Sequence, residues 1–95
     1  MNTSKIDLNL FTVFDAIYSQ QSLTRAAGVL HVSQPAVSSS LAKLRSIFDD
    51  PLFVRTSTGM TPTPLARQLV STVRESLKNL DNCIATRIPF EASTA

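Results

Sequence analysis

The sequence predicts a mainly α-helical domain in which three helices are followed by a small β-hairpin and then by one long helix. Apolar residues recur with a helical period in residues 8–19 and 34–48. A run of β-prone residues at 52–55 precedes a glycine-containing turn. A heptad pattern of apolar residues then covers 66–84. The 95 residues fit one small domain whose own core gives modest stability.

The first helix is predicted for residues 8–19, because Leu10, Phe14 and Ile17 fall on one face of a helix with that period. Asp7 stands where a carboxylate can cap the first turn. We therefore expect the apolar face of this helix to pack on the core of the domain.

Two further helices are predicted on either side of a tight turn. Ser22 is a good N-cap for a short helix over 23–30. His31 belongs to a residue type that is enriched at positive φ, which suits the turn. Ser33 can cap a third helix over 34–48. Two helices joined in this way form a helix-turn-helix unit.

A small hairpin is predicted after the third helix. Residues 52–55 form its first strand, and Gly59 supplies the positive φ of a turn at 57–59. Residues 60–62 return as a second strand, which Pro62 confines to an edge. A hairpin in this position is the wing of a winged helix-turn-helix, and we call it the wing below.

The last helix is predicted to begin at Thr63 and Pro64 and to end at about Thr86. Its apolar residues step by 4, 3, 4, 3 and 4, which is typical of a coiled-coil stripe. The stripe consists of Ala66, Val70, Val73, Leu77, Leu80 and Ile84. Its far end has no partner in so small a fold, so we predict a homodimer contact there. The alternative is a helix folded entirely back on its own core.

The charge of the chain permits nucleic-acid binding without requiring it. Nine Lys+Arg face seven Asp+Glu, a formal net charge of +2. Residues 20–48 contain Arg25, Lys43 and Arg45 but no acidic residue, which suits a surface that faces phosphates. The single cysteine, Cys83, cannot form an internal disulfide and indicates a reducing compartment.

Several classes of protein are disfavoured by the composition. No signal peptide is visible and no segment reaches the ~20 apolar residues of a membrane span, so we expect a cytoplasmic protein without a membrane partner. Two glycines and one histidine leave little material for a phosphate-cradling loop or a ligand cluster. We therefore expect no enzyme, no cofactor and no metal.

The third helix carries a small, polar and acid-free face opposite its apolar side. This face is predicted to enter the major groove of DNA. Gln34 can pair with adenine through two hydrogen bonds, and Pro35 can contact a thymine methyl. Ser38 and Ser39 can bond to bases or phosphates. The alternative is an exposed serine-rich face without a ligand.

Cationic and hydroxyl side chains around this face are further candidates for DNA contact. Arg55 on the wing can reach a phosphate or the minor groove, and the alternative is a solvated charge. Arg25 can contact a phosphate, and the alternative is a surface ion pair. The remaining candidates for DNA binding are Ser22, Thr24, Ser33, Lys43, Arg45 and Thr56.

Several stretches together resemble the LysR-type transcriptional regulators. They are SLTRAA at 22–27, LHVSQPAVS at 30–38, Leu44, and DPLFVR at 50–55. The stretch at 55–63 resembles the branch of that family that contains LeuO-like, MexT-like and NodD-like regulators. Many members carry arginine at the position of Ser39, so the base preference of this chain is expected to depart from theirs.

The resemblance implies three segments: a winged helix-turn-helix DNA-binding domain at 1–62, a linker helix at 63–87 that pairs two chains, and the start of a hinge at 88–95. It implies a larger C-terminal domain beyond residue 95 that binds a small-molecule effector. Such a regulator would bind promoter DNA, as an inverted repeat, in the form of a dimer, and as a tetramer in the full-length protein. A protein-interaction module built on the heptad helix is the competing function.

Overall fold

A computed structural model of the chain describes residues 7–94, with side chains described for 7–85. It contains four helices and one antiparallel pair of strands, and this order confirms the predicted fold class. The elements are α1 (Asn9–Gln20), α2 (Leu23–Leu30), α3 (Gln34–Phe48), β1 (Phe53–Thr56), β2 (Gly59–Pro62) and α4 (Pro64–Thr94).

The predicted side-chain N-caps are present at α2 and α3, whereas the N-cap position of α1 is Leu8, which forms no such bond, and Asp7 lies one residue before it. The Asp7 carboxylate accepts a hydrogen bond from the backbone N–H of Asn9 at 2.9 Å. The Ser22 hydroxyl accepts from the N–H of Arg25 at 3.1 Å, and the Ser33 hydroxyl from that of Ala36 at 3.2 Å. Each bond satisfies a backbone donor that the first turn of a helix leaves without a partner.

The first three helices all end in a left-handed residue. Gln21, His31 and Asp49 have φ values of 55°, 58° and 51°. Each turns the chain sharply after its helix, as a residue at this position commonly does. The expectation of a positive φ at His31 is confirmed.

The core lies where α1, α2 and α3 meet the wing and the first part of α4. Its largest fully buried side chains are aliphatic and aromatic, and no polar side chain is buried among the described residues. Ala26 and Ala27 are buried in α2, and small side chains at these positions allow α1 and α3 to approach closely. The fully buried large residues are Phe14, Ile17, Val37, Leu41, Leu44, Leu52 and Phe53.

The wing pairs Phe53 with Pro62 and Thr56 with Gly59 in antiparallel register. The strand predicted from residue 52 begins one residue later. The reason is that Leu52 has a φ of 63°, a left-handed conformation that a strand cannot contain. The second strand begins at Gly59, one residue earlier than predicted.

The predicted end of the last helix near Thr86 is wrong, because α4 continues to Thr94. A proline such as Pro89 removes one backbone hydrogen bond without forcing a helix to end. The segment predicted as the start of a hinge, residues 88–95, is therefore helical as far as Thr94. The division into domains stays a prediction. In the described part of the chain, every helix is too short or too polar to cross a bilayer.

The first half of α4 packs on the domain and its second half leaves it. Ala66 is 0% and Val73 7% exposed, whereas Leu80 and Ile84 are 56% and 63% exposed. All side chains from residue 78 to residue 85 are exposed. The alternative of a helix folded entirely back on its core is therefore wrong for the described residues.

One polar cluster fixes α4 where it leaves the domain. The Arg74 guanidinium donates to the Asp15 carboxylate at 2.7 Å and to the Ser19 hydroxyl at 2.9 Å. It also lies over the ring of Tyr18, 5.1 Å from the centroid. All three partners belong to α1, so this cluster holds α4 against one helix.

The tip of the wing is pressed against the turn between α1 and α2. The backbone N–H of Met60 donates to the carbonyl of Gln21 at 2.9 Å. A Cβ added to Gly59 would lie 2.4 Å from the same carbonyl oxygen, and Gly59 has a φ of 119°. Glycine is therefore required at this position both for its conformation and for its small size.

We predict that Gly59→Ala lowers the free energy of unfolding by ~1–3 kcal/mol. The added methyl group would clash with the carbonyl oxygen of Gln21, so the wing and the α1–α2 turn would have to move apart. Chemical denaturation of both proteins measures the difference. Gly28→Ala is the matched control, since a Cβ there meets nothing within 4 Å. It should stabilise α2 by up to ~1 kcal/mol. Equal stability of the two variants would contradict the prediction.

Candidate nucleic-acid interface

The turn between α2 and α3 sets the angle at which α3 is presented. The backbone N–H of His31 donates to Gly28 at 3.3 Å, and that of Val32 donates to Ala27 at 3.1 Å. These bonds close the end of α2 and direct the chain toward the Ser33 cap of α3. Local hydrogen bonds thus close the turn of the helix-turn-helix unit, and the buried residues of α2 and α3 hold the two helices together.

The two faces of α3 divide as the sequence predicted. Val37, Leu41 and Leu44 are buried in the core and anchor the helix. The opposite face is solvent-exposed, and no acidic residue lies in the first turn. Its exposed residues are Pro35, Ser39, Ala42, Lys43 and Ser46, and Ser38 is half-buried at its margin.

The start of α3 places several polar groups close together. The Ser33 hydroxyl is engaged in the cap, so it accepts from the backbone. The side-chain amide nitrogen of Gln34 donates to the hydroxyl of Ser38 at 3.3 Å. Gln34 and Pro35 are both exposed at the leading edge of the helix. This end of α3 therefore offers hydrogen-bonding and apolar groups to a partner.

Three exposed cations lie on α2, on α3 and on the wing, and none has an anionic partner among the described residues. Arg25, Lys43 and Arg55 are exposed, and within residues 7–85 none of them forms a salt bridge. The surface ion pair considered for Arg25 is therefore not formed in the described part of the chain. Unpaired cations beside an acid-free face produce a positive potential that attracts polyanions.

Arg45 has a role that the sequence analysis missed. Its guanidinium donates to the carbonyl of Pro51 at 2.7 Å and to that of Phe53 at 2.8 Å. It thereby ties α3 to the chain entering the wing, and its contact with a phosphate stays a prediction. The signal in the sequence was the position of Arg45 beside the apolar side of the helical wheel, where a side chain reaches neighbouring backbone.

The hydroxyl of Thr56 is used inside the wing. It lies 2.7 Å from the hydroxyl of Thr61 and 3.1 Å from that of Thr58, and it donates to the carbonyl of Gly59 at 3.2 Å. Thr24 remains exposed on α2. The Ser22 hydroxyl caps α2 as an acceptor, which leaves its own proton for another partner.

A cleft of about 250 Å³ separates α3 from the wing. Ser38 and Arg45 line it from α3, and Arg55 and Met60 line it from the wing. Of the residues predicted to contact DNA, the cleft brings Ser38, Arg45 and Arg55 to one place. The recognition face and the wing therefore form one continuous surface.

These features define a winged helix-turn-helix domain of the DNA-binding class. The model for the family described as bacterial regulatory helix-turn-helix protein, lysR family, matches residues 8–67. The chain belongs to this family and carries the DNA-binding helix-turn-helix domain of LysR-type transcriptional regulators.

Similar proteins include the HTH-type transcriptional regulator LeuO of Escherichia coli (strain K12), which is 52% identical over 77 residues, or 81% of this chain and 24% of LeuO. Nodulation protein D 1 of Bradyrhizobium sp. (strain NC92) is 38% identical over 91 residues, or 96% of this chain and 29% of that protein. The predicted likeness to LeuO and NodD regulators is confirmed. The chain spans less than a third of the length of these relatives, of which LeuO is a transcriptional regulator.

Among solved structures, the fold matches a complex described as BenM_DBD/benA site 1 DNA. The TM-score is 0.84, and the match covers 90% of this chain and 97% of that one at 24% identity. At this level of identity the match supports the fold of the domain, including the hairpin and the following helix.

We predict that Arg45→Ala lowers the free energy of unfolding by ~1–2 kcal/mol, because the carbonyls of Pro51 and Phe53 lose a charged donor. Lys43→Ala is the matched control, since Lys43 is exposed on the same helix and forms no salt bridge with a described residue. It should leave unfolding unchanged and reduce the salt slope of DNA binding by about 1. A denaturation midpoint for Arg45→Ala equal to that of wild type would contradict the proposed role of Arg45 in stabilising the wing.

Proposed function

We propose that this chain binds promoter DNA as a homodimer, with α3 in the major groove and the wing near the minor groove. The observation that carries the proposal is the exposed, acid-free face of α3, which is flanked by the unpaired cations Arg25, Lys43 and Arg55. A helix of this kind fits the width of the major groove, and small side chains let it approach the base edges.

Base contacts are proposed for the leading edge of α3. Gln34 has the donor and acceptor that pair with adenine, and Pro35 presents an apolar surface to a thymine methyl. Ser38 and Ser39 add hydroxyls in the next turn. A serine at position 39 does not provide the two-pronged donor with which arginine reads guanine, so a guanine contact at this point is not part of the proposal.

Backbone contacts are proposed for the groups around that edge. Arg25 and Lys43 are exposed cations that neutralise phosphates, which adds affinity without sequence discrimination. Arg55 lies on the wing side of the cleft and is directed to a phosphate or the minor groove. Weaker contacts of the same kind are assigned to Ser22, Thr24, Ser33 and Thr56.

The dimer is proposed to form through the exposed end of α4. A groove of about 600 Å³ runs beside this helix and is lined mainly by apolar side chains. Phe11 and Phe48 wall it on one side, and Leu77 and Leu80 line it from α4. A second copy of α4 would cover these side chains. Two-fold pairing places two α3 helices on an inverted repeat.

The function of a longer protein is proposed from the relatives. LeuO and nodulation protein D 1 are about three to four times as long as the matched region, since it spans 24% and 29% of them. We propose that a chain of that length is a cytoplasmic regulator that assembles as a tetramer and responds to a small-molecule effector through a C-terminal domain.

Selection of bound fragments from random double-stranded DNA tests the proposal. We expect an inverted repeat with half-sites one helical turn or a multiple of it apart. Binding to the selected site should weaken steeply as salt rises, because phosphates release counterions. Failure to enrich any sequence at low salt would refute the proposal and favour the protein-interaction module.

We predict that Leu80→Asp weakens the dimer and leaves the monomer folded. The side chain is 56% exposed, so an aspartate there costs little in the monomer but would be buried without a partner in the pair. Sedimentation equilibrium should show a dissociation constant raised about tenfold or more. Leu77 is less suitable, because it also packs on the core of its own domain.

Ser71→Asp is the matched control for the dimer. It introduces the same charge at an exposed position of α4 outside the heptad stripe. The control should remain dimeric and unfold at the wild-type temperature, whereas Leu80→Asp should keep the helix content of wild type by circular dichroism and lose the part of the unfolding temperature that depends on protein concentration. An unchanged dimer for Leu80→Asp would overturn the assignment of the stripe.

A further inference from the structure

We propose that Gln34 and Ser38 read one A·T pair as a single unit, in which Ser38 is a positioning residue for the Gln34 amide. The proposal rests on the proposed function, because it requires α3 to lie in the major groove. It goes further by specifying how the orientation of one amide is set before DNA arrives.

The two side chains are joined by a hydrogen bond along one face of α3. The Nε2 atom of Gln34 donates to the Oγ atom of Ser38 at 3.3 Å. Residues four apart on a helix are neighbours, so the bond needs no distortion of the backbone. Both residues lie at the end of α3 where the helix is expected to meet base edges.

The proposed unit assigns to this bond the hydrogen of the amide that adenine does not need. A primary amide nitrogen has two hydrogens, and a two-bond contact with adenine uses only the one on the same side as the oxygen. The other hydrogen points back toward the helix, which is the direction of Ser38. With that hydrogen engaged, Oε1 and the remaining N–H still face outward as an acceptor and a donor.

Ser38 is held more firmly than Gln34. Ser38 is half-buried and lines the cleft between α3 and the wing, where Leu23, Leu41 and Met60 also lie. Gln34 is exposed, and a free glutamine loses side-chain entropy when DNA orders it. A bond to a fixed hydroxyl reduces that loss, which is how preorganisation strengthens binding.

The fixed orientation also discriminates between bases. Adenine presents the N7 acceptor and the N6 donor in the major groove, whereas guanine presents two acceptors, N7 and O6. When Oε1 of Gln34 faces the exocyclic group of the base, it accepts a hydrogen bond from N6 of adenine. On guanine the same oxygen faces O6, which is also an acceptor, so no hydrogen bond forms. Ser38 acts on this preference through Gln34, without a base contact of its own being required.

A double-mutant cycle on the selected DNA site tests the unit. Binding of wild type, Gln34→Ala, Ser38→Ala and the double variant is measured on DNA with adenine, guanine or 7-deazaadenine at each half-site position. The last base lacks the N7 acceptor. We expect Gln34→Ala to reduce the adenine preference at one position about tenfold. Ser38→Ala should reduce the same preference several-fold, and should not reduce that adenine preference further when Gln34 is already alanine.

Two further variants separate positioning from contact. Ser38→Thr keeps the hydroxyl and should restore the adenine preference. Ser39→Ala removes a neighbouring hydroxyl, whereas the Gln34 amide bonds to Ser38. Its effect on DNA affinity should add to that of Gln34→Ala. Replacement of the adenine by 7-deazaadenine should weaken the binding of wild type but not the binding of Gln34→Ala.

The outcomes of this cycle are distinct. Additive losses for Ser38→Ala and Gln34→Ala, or losses at two different base positions, would overturn the unit while leaving DNA binding intact. Failure of the wild-type protein to select any site would instead refute the proposed function on which the unit rests. Equal unfolding midpoints for all variants confirm that each change in affinity arises at the interface.

Discussion

The carboxylate of Asp50 holds together the two ends of the wing and the start of α4. One of its oxygens accepts from the backbone N–H of Leu52 and from the hydroxyl of Thr63, each at 2.8 Å. The Thr63 hydroxyl in turn accepts from the N–H of Ala66 at 3.2 Å and caps α4. This one side chain, two residues beyond the end of α3, therefore links the start of the wing to the start of α4.

The helices were predictable because their signals are local. Ser22 and Ser33 precede their helices as caps, and the buried residues of α1 and α3 recur with a helical period. The left-handed Leu52 was not predictable, since its conformation depends on a bond to Asp50 within the folded chain. The same holds for Arg45, whose carbonyl partners come near α3 only after the wing has folded.

The candidate site was predicted in its residues more fully than in its geometry. The acid-free face of α3 and the cations around it follow from residue type and spacing. The sequence could not show that Arg25 and Lys43 lack salt bridges to described residues, or that the Gln34 amide bonds to Ser38. Such facts depend on side-chain orientation, which many conformations of the same helix allow. The resemblance to the family shows that Ser39 stands where many members carry arginine. The effect of this difference on base choice depends on side-chain orientation.

The contact between the wing tip and the α1–α2 turn attaches the wing to the helices at a second place. Asp50 accepts a hydrogen bond at the base of the wing, and Met60 donates to Gln21 near its tip. These two attachments oppose a change in the distance between α3 and Arg55. A duplex that touches both elements must supply the matching groove width, and the energy of any misfit falls on the DNA. DNA sequences that differ in stiffness would then differ in affinity, even at base pairs that no side chain contacts.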